Sequence, residues 1–158
     1  LSLLFSSRGC LDELPSATRG SAGVDLAVAE PVNIVDSAVH VLPSNGSGPL
    51  GHNLSALLIG RSSASKQGIF VFPGCIDADY TGPIGIMVQC FAPPVHIPVG
   101  SVIAQLIPFR ACVPNPGDGG FGSTGTPNIL AESKNPMFDL VVFALKESFP
   151  SQSRSRKP

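Results

Sequence analysis

The chain has 158 residues, which is enough for one domain with a sizeable core and excludes a two-domain enzyme. Ten Lys and Arg residues against 11 Asp and Glu residues give a formal charge of -1, which argues against a surface built to bind nucleic acid or anionic lipid. With 17 glycines, 16 prolines and only 13% charged residues, the composition disfavours a helical bundle and favours short strands separated by turns.

Apolar runs alternate with turn signals from about residue 22 to residue 107, which is typical of a β-sandwich, jelly roll or barrel. Clusters of Gly, Pro and Asn predict turns or loops at residues 45–49, 92–94 and 98–100. Residues 62–67 form either one short helix or a loop. The predicted strands are residues 24–28, 32–34, 38–42, 56–59, 69–72, 85–91, 95–97 and 102–108.

The last third of the chain departs from this strand pattern. Residues 114–125 are rich in glycine and are predicted to form a mobile arm. Residues 137–149 are apolar enough to pack as a strand or short helix, and residues 151–158 form a basic tail that we expect to be disordered. This tail is the one place where the sequence suggests contact with nucleic acid. No apolar run reaches the ~18 residues of a membrane span, so no membrane partner is expected.

The four cysteines form no C-x-x-C pair and no metal-like cluster with the histidines, so zinc is disfavoured. The first residues lack the basic flank and the long apolar core of a secretory signal. We therefore expect an intracellular chain with reduced thiols. The chain starts without Met, which is consistent with a processed fragment, a piece of a polyprotein or a trimmed form of a longer chain, and the sequence does not choose among them.

Residues 74–83, Gly-Cys-Ile-Asp-Ala-Asp-Tyr-Thr-Gly-Pro, contain the densest group of chemically useful side chains. The pattern predicts a hairpin between two apolar strands, with backbone groups left free to face a planar ligand. Asp77 and Tyr80 are three residues apart and share one side of the loop, where a carboxylate can act as a general base. The alternative is a structural turn with a tyrosine that covers the core.

Two further segments suggest a nucleotide ligand. Gly60-Arg61-Ser62-Ser63 combines a guanidinium, two hydroxyls and the start of the predicted helix, which suits phosphate oxygens, although a helix cap with a surface arginine is an equal alternative. Residues 117–125 form a ribbon with Phe121 at its centre, typical of a lid whose aromatic ring stacks on a base. This ribbon lacks the lysine of a P-loop, which excludes a Walker-type nucleotidase.

Taken together, these segments resemble the five ordered motifs of the trimeric dUTPases, most closely the betaretroviral type encoded in a polyprotein. The resemblance implies an all-β, distorted jelly-roll or barrel-like subunit of a homotrimer, with each active site built from several chains. It also implies hydrolysis of dUTP to dUMP and pyrophosphate, inside the cell or within a virion. The segments that resemble the five motifs are residues 17–26, 60–63, 74–82, 103–107 and 119–125.

The resemblance implies a role for each matching residue. Asp77 holds the water that attacks the α-phosphorus, and Tyr80 packs against deoxyribose where a 2′-hydroxyl would clash. Asp25 positions Mg²⁺ through water. The remaining implied substrate contacts are Arg61, Ser62, Ser63, Gly74, Ile76, Gln105, Phe121, Gly122, Ser123 and Thr124.

Two departures from the family pattern put activity in doubt. Pro116 stands where the fifth motif usually begins with arginine, and Ser101-Val102 stands where the fourth usually carries a polar pair ending in arginine. One missing charge contact to phosphate costs about 30- to 1000-fold in kcat/KM. The alternatives are therefore a weakened dUTP diphosphatase and an inactive retrovirus-derived trimer that binds nucleotide or a protein. The predicted organisation is an extension at 1–16, a dUTPase-like domain at 17–113, the arm at 114–125 and a C-terminal extension at 126–158.

Overall fold

The computed structural model describes residues 7–114, and the prediction of an all-β architecture is confirmed for this part of the chain. Within residues 7–114, two helices of four and five residues accompany nine strands. In chain order the elements are α1 (Cys10–Glu13), β1 (Val24–Ala27), β2 (Val32–Ile34), β3 (His40–Ser47), β4 (Ser55–Gly60), α2 (Ser62–Lys66), β5 (Ile69–Val71), β6 (Gly74–Ile76), β7 (Pro83–Cys90), β8 (Val95–Ile97) and β9 (Val102–Phe109).

The strands form three sheets, and every pairing between strands is antiparallel. The largest sheet has the order β1-β9-β4-β6, a second has the order β3-β7-β5, and β2 pairs with β8. Strands distant in the sequence lie side by side, as β1 and β9 do. This non-local pairing is typical of jelly-roll topologies.

The core lies beneath the inward faces of these sheets. Along β7, buried Ile84, Ile86, Val88 and Cys90 alternate with more exposed residues, as expected for a strand with one face on the core. Burying an isoleucine or valine side chain contributes about 1.5–3 kcal/mol, so this one strand face is a major source of stability. Leu26 and Leu106 join the same core from the four-stranded sheet.

The helix α1 falls in the predicted N-terminal extension, and its first residue belongs to the core. Cys10 is buried, and its backbone N–H donates to the carbonyl of Pro49 over 3.0 Å. Burial raises the pKa of the Cys10 thiol. All four cysteines of the chain are free, and neither helix of residues 7–114 is long and apolar enough to cross a membrane.

The predicted loop at residues 45–49 is wrong in its first three positions, because β3 continues to Ser47. The register between β3 and β7 shifts after Pro43, so Asn45 and Gly46 extend the strand through a bulge rather than ending it. The side chain of Asn45 also accepts a hydrogen bond from the Ala27 N–H over 2.9 Å and ties β3 to β1. Polar residues that usually mark a turn are here used to bend a strand.

The predicted hairpin at residues 74–83 is correct only in its flanking strands. β5 and β7 pair antiparallel, but the intervening residues Gly74–Ile76 form β6, which pairs with β4 in the other sheet. The chain therefore crosses between two sheets before it reaches Asp77. The remaining predicted strands and the helix at 62–67 are confirmed. Their ends differ from the predicted ones by at most two residues, except that β3 ends five residues beyond the predicted strand at 38–42.

Candidate active site

Three of the predicted site residues lie together where β1, β9 and the end of β4 meet. Asp25 on β1 is opposite Gln105 on β9, and Gln105 is in turn opposite Ile59 on β4. Arg61 follows β4 directly, and its backbone N–H donates to the carbonyl of Ile103 over 3.0 Å. The sheet thus brings together three segments that are far apart in the sequence.

The side chains of this group combine opposite charges. Arg61 Nη1 lies 3.5 Å from Asp25 Oδ1, and both side chains are partly exposed. At this distance the guanidinium keeps most of its donor capacity for another anion, because its five N–H groups are not all used by one long contact. The arrangement therefore presents a positioned cation and one carboxylate to solvent.

The short helix α2 begins beside this group. The N–H groups of Ala64 and Ser65 donate to the carbonyl of Arg61, and buried Ala64 anchors the helix to the core. Ser62 and Ser63 are exposed in the first turn. The amides that open a helix have no acceptor within the helix itself, so two hydroxyls and two amides face outward next to Arg61.

A second group of predicted residues lies around the loop that follows β6. Asp77 and Tyr80 line a small cavity of about 140 Å³, together with Cys75, Ile76, Pro83, Ile84 and Gly85. The Tyr80 N–H donates to the carbonyl of Asp77 over 3.2 Å, and the Tyr80 hydroxyl donates to the carbonyl of Pro83 over 2.5 Å. The tyrosine ring is therefore fixed across the loop beside the Asp77 carboxylate.

The strand β6 lies at the edge of its sheet, so one side of its backbone is not paired with another strand of residues 7–114. At Gly74 a Cβ atom would meet no heavy atom within 4 Å, so packing within the described chain does not require glycine there. An unpaired edge with a bare Cα allows another molecule to approach the backbone closely.

The two groups do not meet within one chain. Ile76 lies beside Ala56, near the start of β4, whereas Arg61 follows its far end. Five residues of extended strand separate these positions, which corresponds to about 17 Å. The predicted arm residues Phe121, Gly122, Ser123 and Thr124 lie outside the described residues. A single described chain thus presents two partial sites.

The predicted metal position is a single carboxylate. Residues 7–114 contain no group of three or more His, Cys, Asp or Glu side chains that could hold a metal ion. Magnesium is usually held by one or two carboxylates together with substrate phosphates and waters. Asp25, partly exposed beside Arg61, fits that mode.

The structure also places residues that the sequence pattern missed. Cys75 and Pro83 line the cavity beside Asp77. No spacing rule identifies them, because Cys75 reaches the cavity only through the pairing of β6 with β4. The sequence analysis did not predict a strand at residues 74–76, and the position of Cys75 depends on that strand.

Comparison with known proteins identifies the family of the chain. A family model described as dUTPase matches residues 12–125. The chain is 39% identical over 123 residues to the Gag-Pro polyprotein of mouse mammary tumor virus (strain BR6), covering 72% of this chain and 14% of the polyprotein. The chain is also 38% identical over 122 residues to the Gag-Pro polyprotein of Mason-Pfizer monkey virus, covering 72% of this chain and 13% of that polyprotein. The chain thus spans about a seventh of the length of these relatives.

Solved structures show the same fold. The dUTPase of EIAV has a TM-score of 0.56 at 26% identity, covering 72% of this chain and 96% of that chain. A mutant dUTPase of phage phi11 of S. aureus, in which a structural Mg(II) ion is coordinated, has a TM-score of 0.59 at 20% identity, covering 69% of this chain and 90% of that chain. The likeness to the phage protein concerns the fold alone.

Proposed function

Because the chain belongs to the dUTPase family, of the type found in betaretroviral polyproteins, we propose that it hydrolyses dUTP to dUMP and pyrophosphate. The observation that carries the proposal is the shared cavity of Asp77 and Tyr80 beside the unpaired edge of β6. Backbone donors and acceptors on that edge are suited to the polar rim of a pyrimidine, and the cavity is suited to a small ring. As in its relatives, the chain is expected to be released from a polyprotein, within the cell or the virion.

Asp77 acts as the general base in this proposal. Its carboxylate accepts a proton from a water molecule, whose oxygen forms a bond to the α-phosphorus of dUTP. The bond from that phosphorus to the oxygen bridging to the β-phosphate breaks, and pyrophosphate leaves with the electron pair. Tyr80, held by its bond to Pro83, closes the space beside the sugar and disfavours a 2′-hydroxyl.

The triphosphate is held by the other group of residues. Arg61 supplies a charge-assisted donor, the hydroxyls and amides of Ser62 and Ser63 supply further donors, and Gln105 supplies an amide. Asp25 would hold Mg²⁺ through water, and bound magnesium would neutralise part of the phosphate charge. Phe121 and the adjacent Gly122, Ser123 and Thr124 are proposed to cover the nucleotide from the arm.

A complete site requires more than one chain, so we include a homotrimer in the proposal. The separation of about 17 Å between the two groups supports a site that takes Asp77 from one chain and Arg61 from its neighbour. The outward face of the β3-β7-β5 sheet exposes Val41, Met87 and Phe70, a feature typical of a surface covered by another chain. A second copy of this chain is the occupant that the split site requires.

A trimer without catalysis is the second candidate, and one observation favours it. Val102 and Ser63 line a cavity of about 130 Å³ beside α2, and no arginine or lysine is among its lining residues in the described part of the chain. Ser101 is used within the turn, where its hydroxyl donates to the carbonyl of Pro98 over 2.6 Å. Neither position supplies the polar pair that the family pattern places there.

Pyrophosphate release from dUTP, dTTP, dCTP and UTP in the presence of Mg²⁺ tests the proposal. We expect selective cleavage of dUTP that Asp77→Asn lowers by about 100-fold or more. Asp79→Asn is the matched control, because Asp79 is exposed and does not line the cavity, and it is expected to leave the rate unchanged. Tight binding of dUTP without turnover would favour the second candidate.

A further inference from the structure

A larger cavity borders the same loop. It has a volume of about 590 Å³, within the usual range for small-molecule sites. Ala78 borders this cavity, whereas its neighbour Asp77 and Tyr80 border the smaller one. None of the residues to which the proposed function assigns a role lines it. The lining residues are Ser7, Arg8, Pro49, Gly51, His52, Asn53, Ala78 and Arg110.

Two arginines from opposite ends of the described chain converge on this cavity. Arg8 precedes α1, and Arg110 follows β9. Neither forms an ion pair with an acidic side chain within residues 7–114. Each guanidinium carries five N–H donors and matches the oxygens of a phosphate group. The cavity is therefore lined by two guanidinium groups that form no ion pair with an acidic side chain of residues 7–114.

His52, which lines the cavity, contacts the carboxylate of Asp12. Asp12 lies 2.9 and 3.0 Å from His52 Nε2 through its two oxygens and also accepts from the Gly9 N–H. The hydrogen bond from His52 lowers the pKa of Asp12, with further contributions from Gly9 and the charge of Arg8. Asp77 lines the other cavity, and Asp79 lines neither. The lining residues themselves include no carboxylate.

The loop that forms one wall is held in a defined conformation. Gly51, His52 and Asn53 all have positive φ angles, of 97°, 56° and 54°. Such angles are costly for His and Asn and persist only when the surroundings fix them. Backbone bonds from the His52 N–H to the Ser7 carbonyl and from the Leu11 N–H to the Leu50 carbonyl provide that support. A wall fixed before binding reduces the entropy lost when a ligand binds.

We propose that this cavity binds a phosphate group, with the guanidinium groups of Arg8 and Arg110 as the main donors and Asn53 as a polar contact. Phosphate is the anion that best uses two guanidinium forks at once. Free pyrophosphate and the backbone of a single strand of DNA both present this chemistry. The site is separate from Arg61, so the inference does not depend on the proposed function.

Amide chemical shifts of the ¹⁵N-labelled full chain test the site. We expect inorganic pyrophosphate, or in a separate titration a short oligothymidylate, to shift the signals of Gly51, His52 and Ala78. The double substitution Arg8→Gln/Arg110→Gln should weaken the interaction by at least about tenfold. Lys66→Gln removes one exposed charge outside the cavity and should leave the affinity within about twofold. Arg110→Gln alone is the second variant if the double variant is not folded.

The two titrations also identify the source of the phosphate. Arginine-dependent shifts with pyrophosphate alone support a site for free polyphosphate, and shifts with the oligonucleotide support a site that also accepts a nucleic-acid backbone. Shifts confined to Gly60 and Ser62 would overturn the inference and leave the proposed function intact. Arginine-dependent shifts at Gly51 without any dUTP turnover would support the inference and reject the function.

Discussion

Mixing two inactive variants tests whether the active site is shared between chains. Arg61→Gln removes the proposed phosphate donor and Asp77→Asn removes the proposed base, and each is expected to lower kcat/KM by about 100-fold or more. Ile76, which precedes Asp77, is opposite Ala56, and about 17 Å of extended strand separates Ala56 from Arg61. We therefore expect a site that uses both Asp77 and Arg61 to take them from neighbouring chains. In any trimer that contains both variants, one of the three sites then receives both intact residues.

Co-expression of the two variants with different tags, followed by two successive affinity steps, isolates these mixed trimers. Because each contains one intact site, we expect about a third of the wild-type kcat from dUTP-dependent pyrophosphate release. Wild-type chains carrying the same two tags provide the reference rate. Mixed trimers no more active than the separate variants would refute the reasoning, since Arg61 and Asp77 would then not combine across an interface.

Three other substitutions address stability and specificity. Gly48→Ala should lower the free energy of unfolding by about 1–3 kcal/mol, because the new Cβ would overlap the Tyr80 carbonyl; an unchanged urea midpoint would contradict this. Tyr80→Ala should raise the kcat/KM for UTP relative to dUTP by about tenfold, and retained selectivity would place sugar recognition elsewhere. Pro116→Arg should raise kcat/KM for dUTP by about 30-fold or more, and an unchanged rate would reject the missing arginine as the defect.

Much of the fold follows from local patterns. The alternation along residues 84–90 and the turn at residues 98–100 are readable because they depend on neighbouring residues; Gly100 indeed has a φ of 81°. The extension of β3 through Asn45 and Gly46 was not readable, because a bulge uses the same residues as a turn. The short strand β6 was missed because only its pairing with a distant strand makes it a strand.

The candidate site also has a part that the sequence predicts and a part that it does not. The motif resemblance named Asp25, Arg61 and Gln105, and the sheet register brings them together. The separation of Asp77 from this group depends on the strand order, which no local pattern encodes. The cavity between Arg8 and Arg110 was invisible for a similar reason, since its two arginines are about a hundred residues apart in the sequence.

In the proposed trimer, the placement of the two partial sites at opposite ends of β4 would make turnover depend on the concentration of the chain. A chain too dilute to assemble would still contain the proposed base, Asp77, and the proposed phosphate-binding group around Arg61. One substrate molecule could not contact both groups in that chain. Catalysis would begin only where the concentration of the chain is high enough for the proposed trimer to form. In this proposal, the length of one strand, β4, keeps the two groups of site residues apart, so an isolated chain would be inactive until it assembles with other copies.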